Sequence, residues 1–264
     1  MPPVIEVIGA GLIGLLAGRL LNSLMDSLPQ QRPGYPLRLT SCPHCRRPFA
    51  LHHYTPLLGH IWHQRACGVS TPFLRRALVV EALTPPLFGL TVFGLGMTPL
   101  ALLTLTYLSI LSIATVSDLE HTLIPNRLVY PALPLAVALA PWGPPAAYAP
   151  GLQAYVNTLA GLGVSSGVLL GIHLASRGRM GAGDVKLAAL IGAMLGFPLG
   201  LVALGLAVVG GGVVALGLVA SRRKRLQDAF PYGPFLSGGA VLALLWGQPM
   251  LNAYLGLLGF PVRL

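Results

Sequence analysis

Long uncharged apolar segments are the feature that most restricts how this chain can fold. The run from Leu187 to Ala220 contains no charged residue, and a helix that spans a bilayer needs only about 20 mostly apolar residues. Charged residues make up 9% of the 264 residues, whereas hydrophobic residues make up 54%. Because soluble domains carry roughly 25% charged residues, the sequence predicts an all-α polytopic membrane protein.

Eight apolar segments can be placed along the chain. They lie at about residues 4–25, 77–96, 98–117, 128–140, 152–175, 187–197, 198–220 and 235–258. The run from 187 to 220 is too long for one ordinary span, and we expect it to divide near Phe197-Pro198, since proline interrupts a helix. The prediction is therefore about eight transmembrane helices, with a small cytoplasmic cysteine-bearing insert after the first helix.

The basic residues indicate how these segments are oriented. The chain has 17 Lys and Arg against seven Asp and Glu, for a net charge of +10. The basic residues cluster in the insert and in alternate later loops: Arg32, Arg38, Arg46, Arg47, Arg65, Arg75, Arg76, Arg127, Arg177, Arg179, Lys186, Arg222, Arg223, Lys224 and Arg225. The positive-inside rule places those loops in the cytoplasm. The charge is thus mainly a topology signal, and we expect contact with membrane lipid but no nucleic-acid partner.

Two aspartates border apolar segments on this cytoplasmic side. Asp118 follows the third segment and Asp184 precedes the sixth. A charged side chain at membrane depth costs about 2.5 kcal/mol or more, so such residues usually mark functional sites. The alternative is structural: Asp118 at a solvated helix end, and Asp184 as an ordinary helix N-cap.

Each aspartate lies in a short distinctive segment. The first is Ser117-Asp118-Leu119-Glu120-His121-Thr122-Leu123-Ile124-Pro125-Asn126, in which we expect Pro125 to begin the next helix. The second is Gly181-Ala182-Gly183-Asp184-Val185-Lys186, whose glycines permit close approach and unusual backbone angles before a helix. Lys186 could favour the ionised form of a nearby carboxylate, although side chains two residues apart do not face each other on a helix.

Together these segments resemble the type IV prepilin peptidase family, which comprises bacterial membrane aspartic proteases of the GxGD type. Asp118 with Pro125 is similar to the family's first catalytic segment, and Gly181 to Lys186 is similar to its second. Further matches follow in the family's order: Ala17-Gly18-Arg19-Leu20-Leu21-Asn22, Leu28-Pro29, Cys42-Pro43-His44-Cys45, Tyr54-Thr55-Pro56-Leu57-Leu58, Glu81 with Phe88 and Gly89, and Phe230-Pro231-Tyr232-Gly233-Pro234-Phe235.

The resemblance implies a membrane aspartic endopeptidase of the bacterial inner membrane. Asp118 and Asp184 would be the catalytic pair, one acting as base and one as acid, with the assignment open. Glu120, Gly181, Gly183, Lys186 and Pro125 would support them. The implied substrates are type IV prepilins and pseudopilins, whose leader is cut after a glycine at the cytoplasmic membrane face, with no cofactor needed for proteolysis.

On this interpretation the chain has three parts. They are a first transmembrane helix over residues 1–25, a cysteine-bearing insert over residues 26–76, and a transmembrane aspartic peptidase domain over residues 77–264.

The insert departs from the family pattern in its cysteines. The family's full version carries two CxxC pairs that resemble a zinc ribbon, whereas here Cys42 and Cys45 form one pair and Cys67 stands alone. Three thiolates and one histidine make a tetrahedral zinc set. His44, His52, His53, His60 or His63 could supply the histidine, and His63 or His60 is put forward as the fourth ligand. A degenerate domain without metal is the alternative.

Other activities remain open at this stage. Family members with this insert often also methylate the new N-terminus of the pilin with S-adenosylmethionine, but the chain shows no glycine-rich nucleotide motif. A proton-coupled membrane carrier would use the two aspartates as relay sites. A non-catalytic scaffold for pilus or secretion assembly would need neither aspartate.

Overall fold

A computed structural model describes residues 3–28, 55, 59, 71–148, 150–176, 180–221 and 231–259. Over these ranges the regular secondary structure is helical, with no strand. In chain order the elements are α1 (Val4–Ser27), α2 (Thr71–Leu95), α3 (Pro99–His121), α4 (Asn126–Ala138), a 3₁₀ turn (Ala140–Trp142), α5 (Pro144–Tyr148), α6 (Leu152–Ala175), α7 (Ala182–Leu195), α8 (Leu199–Ala220) and α9 (Gly233–Leu257).

Six of the described helices are long and apolar enough to cross a membrane: α1, α2, α3, α6, α8 and α9. Helices α4 and α7 have 13 and 14 residues, fewer than the roughly 20 that a perpendicular span requires. The prediction of a helical membrane protein is therefore confirmed for the described residues. The predicted total of about eight spans is not, because two of the eight segments form short helices.

Two helices extend beyond the predicted apolar segments, because polar residues continue them. Helix α2 begins at Thr71 instead of near residue 77, and α3 continues to His121 instead of ending near residue 117. Hydropathy marks only the apolar part of a helix, which explains both differences. The long apolar run does divide near Phe197, because Gly196 adopts a left-handed φ of 69° and ends α7.

The chain forms two compact units, residues 1–105 and residues 106–264. In the first unit α1 packs along α2, and two ion pairs join these helices. Arg19 Nη1 lies 3.9 Å from Glu81 Oε1, and Arg76 Nη2 lies 2.6 Å from Asp26 Oδ1. Glu81 is fully buried, so the pairing compensates for placing its charge inside an apolar helix pair.

In the second unit α6 crosses α7 at very short range. A Cβ atom at Gly161 would overlap the carbonyl oxygen of Gly192, and one at Gly192 would overlap that of Gly161. Only glycine at both positions permits this approach. The crossing holds α7 against α6 and so determines where Asp184, in the first turn of α7, is placed.

A polar contact secures the turn between α7 and α8. The Asn157 side chain in α6 accepts the N–H of Phe197 at 2.8 Å through Oδ1 and donates to the carbonyl oxygen of Pro145 at 3.2 Å through Nδ2. The N–H of Phe197 lies between the two helices and Pro145 belongs to α5, so one side chain links this turn to α5 as well as to α6. The division of the long apolar run is thus anchored to α6.

Most of the predicted insert, including Cys42, Cys45 and Cys67, lies outside the described residues. The division into residues 1–25, 26–76 and 77–264 therefore stays a prediction.

Candidate active site

Asp118 lies in the last turn of α3 and is 6% exposed. The helix ends three residues later, where Thr122 adopts a left-handed φ of 48° and donates its N–H to the carbonyl oxygen of Asp118 at 2.9 Å. The Ser117 hydroxyl donates to the carbonyl oxygen of Leu123 at 2.8 Å. These two bonds fold the following turn back against the helix end, so the aspartate is buried although the helix stops beside it.

Asp184 is the third residue of α7 and is 8% exposed. Its N–H donates to the carbonyl oxygen of Gly181 at 3.1 Å, and its carboxylate accepts the N–H of Gly181. Side chains at this position of a helix commonly reach back in this way. A Cβ atom at Gly183 would lie 3.4 Å from Cβ of Ile124, so the start of α7 packs against the connection between α3 and α4.

This packing brings the two carboxyl groups within electrostatic range of each other. Asp184 lies outside the six candidate spans, and burial raises the pKa of its carboxyl to about 6, with the Asp118 charge acting in the same direction. The N–H of Gly181 opposes both effects. A carboxyl with a pKa near 6 retains a proton at mildly acidic pH.

The start of α9 supplies a further contact to Asp118. The N–H of Gly233, the first residue of α9, donates to Asp118 Oδ2 at 2.8 Å in a buried hydrogen bond. A hydrogen bond to a carboxylate is stronger than one between neutral groups, and a helix N-terminus favours negative charge. Both effects favour the ionised form of this side chain, whereas its burial disfavours that form.

Tyr232 directly precedes Gly233 in the sequence and lies within electrostatic range of Asp184. Burial raises the pKa of the Tyr232 hydroxyl, and the Asp184 charge acts in the same direction. The ring stacks on Phe235, with centroids 6.4 Å apart, and a Cβ atom at Gly211 in α8 would lie 3.1 Å from its Cε2. The phenol is therefore fixed at the edge of the site by α8 and α9.

Lys186 points toward α4. Its Nζ donates to Asn126 Oδ1 at 3.1 Å and lies 5.4 Å from the centroid of the Tyr130 ring. That Lys186 supports the catalytic aspartates stays a prediction. The contacts that the structure shows for this lysine join the first turns of α4 and α7.

Of the remaining predicted site residues, Pro125 and Glu120 lie within the described part of the chain. Pro125 is buried and occupies the N-cap of α4, so the expectation that it marks the start of the next helix is confirmed. Glu120 is exposed, with Oε2 lying 4.0 Å from Nε2 of His121. The candidate zinc ligands Cys42, Cys45, Cys67, His60 and His63 lie outside the described residues.

Sequence reasoning did not identify Gly233 or Asn126 as site residues. The Pro-Tyr-Gly-Pro segment was apparent, but every residue except proline has a backbone N–H, so its hydrogen bond to Asp118 leaves no chemical mark in the sequence. Asn126 follows Pro125 directly and could have been noted as a polar residue beside the first aspartate.

Comparisons with known proteins give two family matches along the chain. The model of the type IV leader peptidase family matches residues 105–216, and that of the bacterial peptidase A24 N-terminal domain matches residues 12–95. The first match contains both Asp118 and Asp184. No solved structure matches the chain.

Three relatives named prepilin leader peptidase/N-methyltransferase illustrate the similarity. The Aeromonas hydrophila protein is 32% identical over 81% of this chain and 73% of its own length. The Bacillus subtilis (strain 168) protein is 28% identical over 82% of this chain and 85% of its own. The Legionella pneumophila protein is 27% identical over 93% of both.

Proposed function

The chain belongs to the type IV leader peptidase family, and from this we propose that it is a membrane aspartic endopeptidase that removes the leader peptide of type IV prepilins or pseudopilins. The observation that carries the proposal is the buried pair Asp118 and Asp184, whose charges interact. Two coupled carboxyl groups in a desolvated site are suited to acid/base hydrolysis of a peptide bond.

The chemistry requires one ionised and one protonated carboxyl group. The carboxylate accepts a proton from water as the hydroxide oxygen bonds to the scissile carbonyl carbon, and the carboxylic acid donates its proton to the carbonyl oxygen. As the C–N bond breaks, the first carboxyl passes its proton to the leaving amine and the tetrahedral hydroxyl returns a proton to the second. Both aspartates then regain their starting states.

We place the site at the cytoplasmic face of the bacterial inner membrane. Support comes from the positive-inside rule, because Arg127 and Lys186 lie beside the two aspartates in the sequence. Reporter fusions after Ala220 and after residue 150 test this orientation. A cytoplasmic reporter should be active only at the first fusion point, and activity at the second instead would contradict it.

Leader removal is tested with purified protein in lipid vesicles and a prepilin that carries its leader. Mass spectrometry should show cleavage on the carboxyl side of the glycine that ends the leader. A proton-coupled carrier would instead show proton uptake in the same vesicles, and an assembly scaffold would show neither. Cleavage is favoured here, because both aspartates lie at helix ends and not near the middle of a span.

We propose that the protein also methylates the new N-terminus, since its relatives carry the name N-methyltransferase. S-adenosylmethionine is the methyl donor that this chemistry requires. Incubation of processed pilin with labelled S-adenosylmethionine should place one labelled methyl group on the terminal amine. Cleavage without methyl transfer would restrict the chain to the peptidase activity.

We also propose a zinc ion in the insert, held by Cys42, Cys45, Cys67 and either His63 or His60. The support is the chemistry of the donor set in the sequence. Metal analysis should find about one zinc per chain, lost in Cys42→Ser. His60→Ala and His63→Ala should separate the two candidate fourth ligands, and an absence of zinc from the parent protein would disprove the site.

A further inference from the structure

We propose that Gly233 is a positioning residue of the active site: its N–H orients the Asp118 carboxylate and favours its ionised form, so that Asp118 can serve as the base of the pair. The inference rests on the proposed peptidase function. The active site would then be formed by three helix ends: the end of α3, the start of α7 and the start of α9.

The contact between Gly233 and Asp118 leaves no room for a Cβ atom unless one of the two residues shifts. The N–H of Gly233 lies 2.8 Å from Asp118 Oδ2, and a Cβ atom on Gly233 would lie 2.7 Å from that oxygen and 2.9 Å from Cβ and Cγ of the aspartate. Real Cβ atoms do not approach other atoms so closely. A side chain would therefore displace either the carboxylate or the start of α9, and the hydrogen bond would lengthen.

The bond also distinguishes the two oxygens of Asp118. Oδ2 faces the first N–H of α9, where the helix dipole favours negative charge. Oδ1 is then the oxygen available to accept the proton of the attacking water. In Asp184 the corresponding N–H comes from Gly181, and burial outweighs it to leave the pKa of that carboxyl at about 6. Asp184 therefore keeps its proton to a higher pH than an ordinary carboxyl and suits the acid.

Few other ionisable groups bear on Asp118 within the described residues. Asp184 faces it from α7, and Tyr232 adjoins it from the residue before α9. On its own helix Glu120 and His121 are exposed, while Lys186 is bonded to Asn126. A change in the pH dependence that follows alteration of Gly233 alone can thus be assigned to the contact with Asp118.

The experiment compares leader cleavage by Gly233→Ala and Gly238→Ala across pH. Gly238 lies in the same helix with no atom within 4 Å of an added Cβ, so its variant should keep the parent profile. Gly233→Ala should cleave about tenfold more slowly at its optimum, and the acidic limb of kcat/KM should move about one pH unit upward, because the base ionises less readily. A rate loss with an unmoved limb, or an unchanged rate, would overturn the proposal.

A second variant separates the hydrogen bond from the steric effect. Replacing the Gly233 peptide N–H with an ester oxygen removes the donor and adds no Cβ atom, and it should move the acidic limb in the same direction. Infrared titration of the carboxyl groups needs no substrate: the carboxylate band that Asp118→Asn abolishes should appear at higher pH in the ester variant than in the parent. If the parent cleaves no prepilin, this titration still decides the role of Gly233, and an unshifted band would refute it.

Discussion

The carboxyl of Asp184, in the first turn of α7, lies within electrostatic range of Asp118, in the last turn of α3. The two residues are far apart in the sequence, and the start of α7, at Gly183, packs against Ile124 in the connection that follows α3. Burial and the charge of Asp118 together raise the pKa of Asp184 to about 6. This coupling has consequences for stability as well as for catalysis.

The first prediction concerns how stability changes with pH. Because the folded pKa of Asp184, about 6, exceeds its ordinary value of 3.8, the folded state binds the proton more tightly than the unfolded state. The stability that protonation of Asp184 contributes is fully present below pH 3.8 and is lost as the pH rises through 6. At pH 7.5 the folded protein bears the cost of a buried, ionised Asp184, and Asp184→Asn removes it. This variant should therefore raise the free energy of unfolding at pH 7.5 by up to about 3 kcal/mol, seen as a higher thermal midpoint. At pH 4 it should have little effect. An equal change at both pH values would contradict the raised pKa of Asp184.

The second prediction concerns the glycine crossing that places α7. Gly161→Ala should lower stability by about 1–3 kcal/mol, because its Cβ atom would overlap the carbonyl oxygen of Gly192. Gly163→Ala is the matched control, since no atom lies within 4 Å of an added Cβ there, and it should be neutral or stabilising by up to about 1 kcal/mol. Thermal unfolding in detergent measures both, and similar midpoints for the two variants would refute the close crossing.

The third prediction concerns the buried ion pair between α1 and α2. Glu81→Ala should destabilise the protein by about 3–5 kcal/mol, because it leaves the charge of Arg19 without its carboxylate partner in an apolar helix pair. The double variant Arg19→Met/Glu81→Leu should recover most of that loss. Denaturant titrations compare them, with Glu120→Gln as an exposed control. A double variant no more stable than Glu81→Ala would show that the pair does more than offset charge burial.

The helical class was predictable from the sequence, and the two aspartates stood out as candidate site residues, because both leave strong local signals. Apolar length marks a membrane helix, and a carboxylate beside such a helix is rare enough to stand out. Pro125 and the break near Phe197 were predictable from the backbone limits of proline and glycine.

Long-range packing explains what the sequence could not show. The hydrogen bond from Gly233 to Asp118 joins residues 115 positions apart, and it uses a backbone group that nearly every residue has. The direction of Lys186 toward Asn126 likewise depends on how α4 lies beside α7. Helix ends were misplaced at Thr71 and His121 because polar residues can continue a helix beyond its apolar part.

The central claim is that Asp118 and Asp184 act together as the catalytic pair, and leader cleavage by conservative variants tests it most directly. Asp118→Asn and Asp184→Asn preserve side-chain volume, so each should lower the cleavage rate of a type IV prepilin by at least about a thousandfold, as expected for loss of an acid or base from a coupled pair. Glu120→Gln, which alters an exposed carboxylate, should keep the rate within about tenfold of the parent. Cleavage near the parent rate by either aspartate variant, in protein that remains folded, would contradict the account.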